Sequence, residues 1–158
     1  MTRAALAAAI ALGLLAEYHV SFGLFTYANG APPIYRLLAS LPRGVVAEFP
    51  IPRADALPGD EAEYAYMSTF HWFPLVNGYS GNYPPTYLMR LERLRGFPDE
   101  RAIHQLRRDD VRYVLVHRAG YPEAAFQELR ARVAAGDALV ELGSFDDAEG
   151  RAVLYRMR

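Results

Sequence analysis

Val111–His117 reads VRYVLVH and is the strongest strand signal in the chain. A second run, Val45–Phe49 or VVAEF, is stopped by Pro50 and Pro52. The run VVAEF is apolar almost throughout, the habit of a strand buried on both faces. With helices between them, the two runs are expected as parallel neighbours joined by a right-handed crossover. Working outward, Pro32-Pro33 opens a helix in which Ile34, Leu37, Leu38 and Leu41 recur at i, i+3, i+4 and i+7. Pro84-Pro85 opens another to Arg95, with Leu88, Leu91 and Leu94 inward and Gly96 as its cap. Pro98 opens a third, with Asp99 and Glu100 in the first turn, where negative charge suits the helix dipole. Pro122 opens a fourth through Ala135, burying Phe126, Leu129 and Val133. Leu139–Phe145 and Ala152–Met157 form an antiparallel hairpin across the turn Asp146–Gly150. Glu61–Phe70 fits a helix or an alternating strand, and the helix is favoured; Pro74–Val76 adds a brief strand before the Asn77-Gly78 turn.

These elements predict an α/β fold: a small mixed sheet with parallel central strands and a C-terminal antiparallel hairpin, flanked by helices and preceded by an apolar N-terminal helix. The chain has 158 residues, enough for one domain, 29–158, plus an appendage, 1–28. A formal net charge of −1 gives no reason to expect nucleic acid as a partner. The absence of cysteine excludes disulfides, thiolate metal sites and a cysteine nucleophile.

Ala4–Ala16 is an uncharged run of Ala, Leu, Ile and Gly. As a helix it is roughly 20 Å long, against about 30 Å for a hydrocarbon core. Extended through Glu17 and His19 to Phe25, it becomes long enough. Arg3 ahead of it then places the N-terminus in the cytoplasm and the domain on the periplasmic or extracellular side. Two alternatives stand beside this membrane anchor. One is a signal peptide cleaved after Ala16, although Leu14 spoils the small-x-small pattern. The other is a buried helix of a soluble domain.

Ser68–Tyr87, STFHWFPLVNGYSGNYPPTY, is the most unusual stretch, with the only tryptophan and a density of aromatic and amide side chains rare in a connector. Ligands of open α/β sheets gather beyond the C-terminal ends of the strands. Glu48 and His117-Arg118 lie at such ends, and the stretch leaves the same crossover. The candidate ligand-binding cluster is therefore Glu48, His71, Trp72, Asn77, Tyr79, Ser80, Tyr83, His117 and Arg118. Trp and Tyr faces suit sugar rings or a membrane interface. The plainer reading is that the aromatics pack an irregular segment onto the sheet while His71 and Asn77 satisfy backbone groups. Of the aromatics, Trp72 is expected to be mainly structural and the Asn77–Tyr83 loop the more exposed. No metal is expected from His71, His117 and Glu48, which have no local ligand spacing. Gly78-Tyr79-Ser80-Gly81 lacks the spacing of a serine nucleophile elbow, and no Gly-rich phosphate loop is present. The residues assign no catalytic group and no cofactor.

PPIYRLLASLP, VVAEFP, YMSTFHWFPLVNGYSGNYPPTY and VRYVLVH together resemble the C-terminal extramembrane domain of bacterial polytopic membrane glycosyltransferase-like proteins of the C superfamily. The most specific part is His71–Tyr87. The resemblance implies that Ala4–Phe25 is the last of several transmembrane helices. It also implies an outward-facing accessory domain or fragment that helps position a glycan or polyprenyl-linked sugar. Enzymes of that superfamily carry their catalytic carboxylate in an early loop between N-terminal helices, so the resemblance carries no catalytic residue to this chain. A structural or partner-docking domain of a membrane protein, and a small exported soluble enzyme, are the alternative functions.

Overall fold

The computed structural model describes residues 2–18, 30–147 and 150–158. In chain order these form helix α1 (Arg3–Glu17), helix α2 (Pro33–Ala39), strand β1 (Val45–Phe49), helix α3 (Glu61–Met67), helix α4 (Pro85–Leu94), helix α5 (Glu100–Arg108), strand β2 (Val111–His117), helix α6 (Glu123–Ala135) and strands β3 (Leu139–Asp147) and β4 (Gly150–Met157). The four strands lie in the order β1-β2-β4-β3, with β1 and β2 parallel and the other pairs antiparallel. The mixed α/β sheet expected from the two apolar runs and the terminal hairpin is thus present. The hairpin strands run further than the alternation implied, to Asp147 and from Gly150. Leu75 adds a parallel bridge on the free edge of β1, where Val46 N–H donates to Pro74 O and Val76 N–H donates to Val46 O, both at 2.8 Å.

The pleat of β1 and β2 divides their side chains between two cores. Ala47 and Phe49, with Val114 and Val116, face Leu94, Ile103, Leu106, Phe126, Leu129 and Val133 from α4, α5 and α6. Val46, with Tyr113 and Leu115, faces Ile34, Tyr35 and Leu38 of α2 and Met67 of α3. Each fully buried large apolar side chain contributes about 1.5–3 kcal/mol, so two such layers hold the sheet from both sides. Glu48 follows Val46 by two residues and His117 follows Leu115 by two. The same pleat therefore delivers both to the α2–α3 side of the sheet, at the C-terminal ends of the parallel strands.

Two local expectations change. Asp99 is the N-cap of α5 rather than part of its first turn, its carboxylate accepting from Ala102 N–H at 2.7 Å. Gly96 does not adopt a left-handed cap. A Cβ there would lie 2.7 Å from Asp99 Cγ, so glycine is required to leave room for the carboxylate that caps α5.

The membrane-spanning reading of the N-terminus is corrected. Helix α1 has 15 residues, about 22 Å at the usual rise, and among the described residues no helix is long and apolar enough to cross a membrane. The extension through His19 to Phe25 lies outside the described residues. The membrane description therefore has no support among the described residues. No residue of α1 is buried.

Candidate functional site

At the end of β1, Glu48 is completely buried. Its Oε2 accepts from the Tyr35 hydroxyl at 2.7 Å and lies 2.8 Å from His117 Nε2. Burial, and then the Glu48 carboxylate, raise the Tyr35 phenol far above its ordinary range. That phenol keeps its proton and is a committed donor. His117 Nε2 also meets the carboxylate as an N–H donor, so in the neutral imidazole Nδ1 carries the lone pair. The ring stacks on Tyr64 with centroids 5.1 Å apart, and its side chain is 23% exposed. A buried carboxylate is thereby linked to the surface through one imidazole.

His71 closes the other side. Its ring lies parallel to that of Tyr35, with centroids 6.1 Å apart. Its Nδ1 accepts from Phe73 N–H at 2.9 Å, which assigns the proton of the neutral ring to Nε2. Burial holds His71 below the ordinary histidine range, partly offset by the Glu48 charge. Two buried polar atoms in this region have no hydrogen-bond partner among the described residues: Glu48 Oε1 and His71 Nε2.

Asn77 lies beside β1 in the place of a neighbouring strand. Its Oδ1 accepts from Glu48 N–H at 2.7 Å, and its Nδ2 donates to Glu48 O at 3.0 Å and to Glu61 Oε1 at 3.1 Å. Glu61, the first residue of α3, is as completely buried as Glu48. Its Oε2 accepts from Gly78 N–H and from the Tyr87 hydroxyl. Burial first, and then Glu61, raise the Tyr87 phenol above its ordinary range. The result is a clamp that fixes the start of the Gly78–Tyr87 loop against the first turn of α3, where a carboxylate is favoured by the helix dipole.

Of the nine candidate residues, the structure gathers Glu48, His71, Asn77 and His117 into one network. The other five lie apart from it. Arg118 pairs with Glu123 at 2.7 Å. Ser80 accepts from Asn82 N–H within an exposed turn. Tyr83 stacks on Tyr87, with centroids 5.7 Å apart. Tyr79 is exposed, as expected for its loop. Trp72 is 73% exposed, which corrects its reading as mainly structural. Its φ of 56° is left-handed, and its backbone N–H donates to Ser68 O at 2.7 Å while the indole lies exposed.

Sequence reasoning missed Tyr35, Tyr64, Glu61 and Tyr87. Tyr35 stands three residues before Leu38 on the apolar side of α2, a position that signalled core and hid the role of its hydroxyl. Glu61 carried only a weak signal, a carboxylate at the first position of a helix. Among the described residues, no group of three or more His, Asp or Glu side chains can hold a metal ion.

Comparison with known proteins finds no matching family model, no matching curated protein and no matching solved structure. The resemblance to membrane glycosyltransferase-like proteins gains no support from it.

Proposed function

We propose that the chain is a ligand-positioning α/β domain whose recognition surface is the C-terminal edge of the parallel strands, centred on His117 and backed by Glu48. The ligand class that suits it is hydroxyl-rich, as a glycan is. One observation carries this reading: a fully buried carboxylate shares one oxygen between Tyr35 and a partly exposed imidazole and leaves its other oxygen unpartnered. A carboxylate buried only to hold the fold is satisfied at both oxygens, because an unsatisfied buried group costs about 1–3 kcal/mol. Hydroxyl groups both donate and accept, which matches a carboxylate and an imidazole side by side. The exposed faces of Trp72 and Tyr79 are further surfaces on which a sugar ring can stack. The cluster is read as a recognition device because the only hydroxyl at hydrogen-bonding distance from His117 among the described residues is the phenol of Tyr35, itself locked onto Glu48.

The test is a titration of the full chain with a panel of soluble oligosaccharides, followed by amide and imidazole NMR shifts. Saturable shifts at His117, abolished by His117→Ala while the unfolding midpoint holds, are expected. A panel that leaves the His117 signals unmoved overturns the reading.

A further inference from the structure

Glu48 Oε1 and His71 Nε2 are the buried side-chain atoms without a hydrogen-bond partner among the described residues, and they are of opposite kinds. His71 Nδ1 is already an acceptor for Phe73 N–H, so Nε2 presents a proton. Glu48 Oε2 is already shared between Tyr35 and His117, so Oε1 is the oxygen left to accept. One residue spans the two groups: the Tyr35 ring stacks on His71, and its hydroxyl bonds to Glu48. The two side chains are 0% and 7% exposed. Unpartnered buried groups are rare and call for a specific explanation. Here a buried donor and a buried acceptor are both unmatched, and Tyr35 touches the residue that carries each.

We propose that His71 Nε2 and Glu48 Oε1 form a site for a single hydroxyl group, which accepts from the imidazole N–H and donates to the carboxylate. The pairing selects against other occupants. A metal ion needs the lone pair that Nε2 does not have while it carries the proton. An anion meets the Glu48 carboxylate. A cation finds the carboxylate but is opposed by the N–H. Only a group that accepts and donates at once satisfies both atoms. In the free protein that group is a buried water, which suits a small polar site. A hydroxyl of an entering ligand offers the same two bonds. This site stands independently of the recognition surface at His117, since water alone fulfils it.

The experiment uses the full chain labelled with 15N in its histidines. Long-range proton–nitrogen spectra report the His71 tautomer, and water-selective cross-relaxation reports a long-lived water at its Nε2 proton. The Nε2–H tautomer with a water cross-peak is expected, and His71→Phe, which keeps a ring against Tyr35, should remove that signal. An Nδ1–H tautomer overturns the site. So does an Nε2 proton without water contact, because that would mean a direct bond to Glu48. Both negative readouts come from the unsubstituted chain, so a failure of the variant to fold does not protect the proposal. Repeating the measurement with an excess of a methyl glycoside separates the two sources of hydroxyl. Loss of the water signal supports a ligand hydroxyl in the site, and its retention supports a site for water alone. Absence of glycoside binding would count against the recognition surface at His117 and leave a water-filled site intact.

Discussion

Glu48 and Glu61 are both completely buried, and one side chain, Asn77, joins the main chain of Glu48 to the carboxylate of Glu61. Around Glu61 every oxygen is used: Oε1 by Asn77, Oε2 by Gly78 N–H and the Tyr87 hydroxyl. Around Glu48 one oxygen has two partners, one of them a partly exposed histidine, and the other has no side-chain or backbone partner among the described residues. Equal burial therefore conceals two different uses. Glu61 ties a loop to a helix, and its environment leaves nothing for a ligand to supply. Glu48 is held rigidly by Tyr35 and reaches the surface through His117. The degree of satisfaction, rather than the degree of burial, separates a carboxylate that holds the fold from one that is available for recognition.

The largest effect is expected where the two regions join. Asn77→Ala leaves the Glu48 N–H and C=O and Glu61 Oε1 without their amide partner. With each unsatisfied buried group costing about 1–3 kcal/mol, a loss of about 3 kcal/mol or more is expected. Urea unfolding of the full chain measures it. A loss below about 1 kcal/mol would mean that this side chain does not tie the β1 backbone at Glu48 to Glu61.

How far the sequence announced this arrangement depends on what each residue had to signal. The parallel pair β1–β2 was legible because two strand-like runs, VVAEF and VRYVLVH, are separated by helical segments long enough for a crossover. The hairpin was legible because a turn separates two strand-like runs. Four of the network residues were legible by position: Glu48 and His117 end parallel strands, and His71 and Asn77 flank the short edge segment at Leu75. Tyr35, Glu61 and Tyr87 were not, because their roles depend on which side chains tertiary packing brings to their polar tips, and periodicity reports only the apolar side of a residue. Trp72 misled for the opposite reason. Large aromatics are usually core, and nothing local announces a left-handed backbone at a non-glycine position.

A second prediction sharpens the comparison through pH. His71 is buried beside Glu48, and its folded pKa lies below the ordinary value of 6.5. Below that value the unfolded chain binds the proton that the native chain resists, so the stability gradient with pH is positive there. The contribution is fully present above about 6.5 and is lost as pH falls from there toward the folded pKa. Stability of the unsubstituted chain should drop over this window more steeply than that of His71→Phe. Equal slopes would show that His71 is not held neutral by its surroundings.

The smallest effect is expected at Trp72. The left-handed backbone of a non-glycine residue costs about 1–2 kcal/mol, while an exposed indole offers little packing to offset it. Trp72→Gly should therefore leave stability unchanged or raise it by up to about 1 kcal/mol. A marked loss would mean that the indole packs in solution and belongs to the scaffold.

The matched pair Glu48→Gln and Glu61→Gln tests the central distinction most directly. At Glu61 either orientation of the new amide turns its NH2 toward an existing donor, Asn77 Nδ2 on one side or Gly78 N–H and Tyr87 Oη on the other. At Glu48 the carbonyl can keep the bonds to Tyr35 and His117, while the NH2 takes the position at which no donor from the described residues is bound and a water can turn to accept from it. Urea unfolding should show Glu61→Gln losing about 2 kcal/mol or more and Glu48→Gln losing less than half as much. Equal losses, or a larger loss at Glu48, would contradict the assignment of Glu61 to the fold and of Glu48 to recognition.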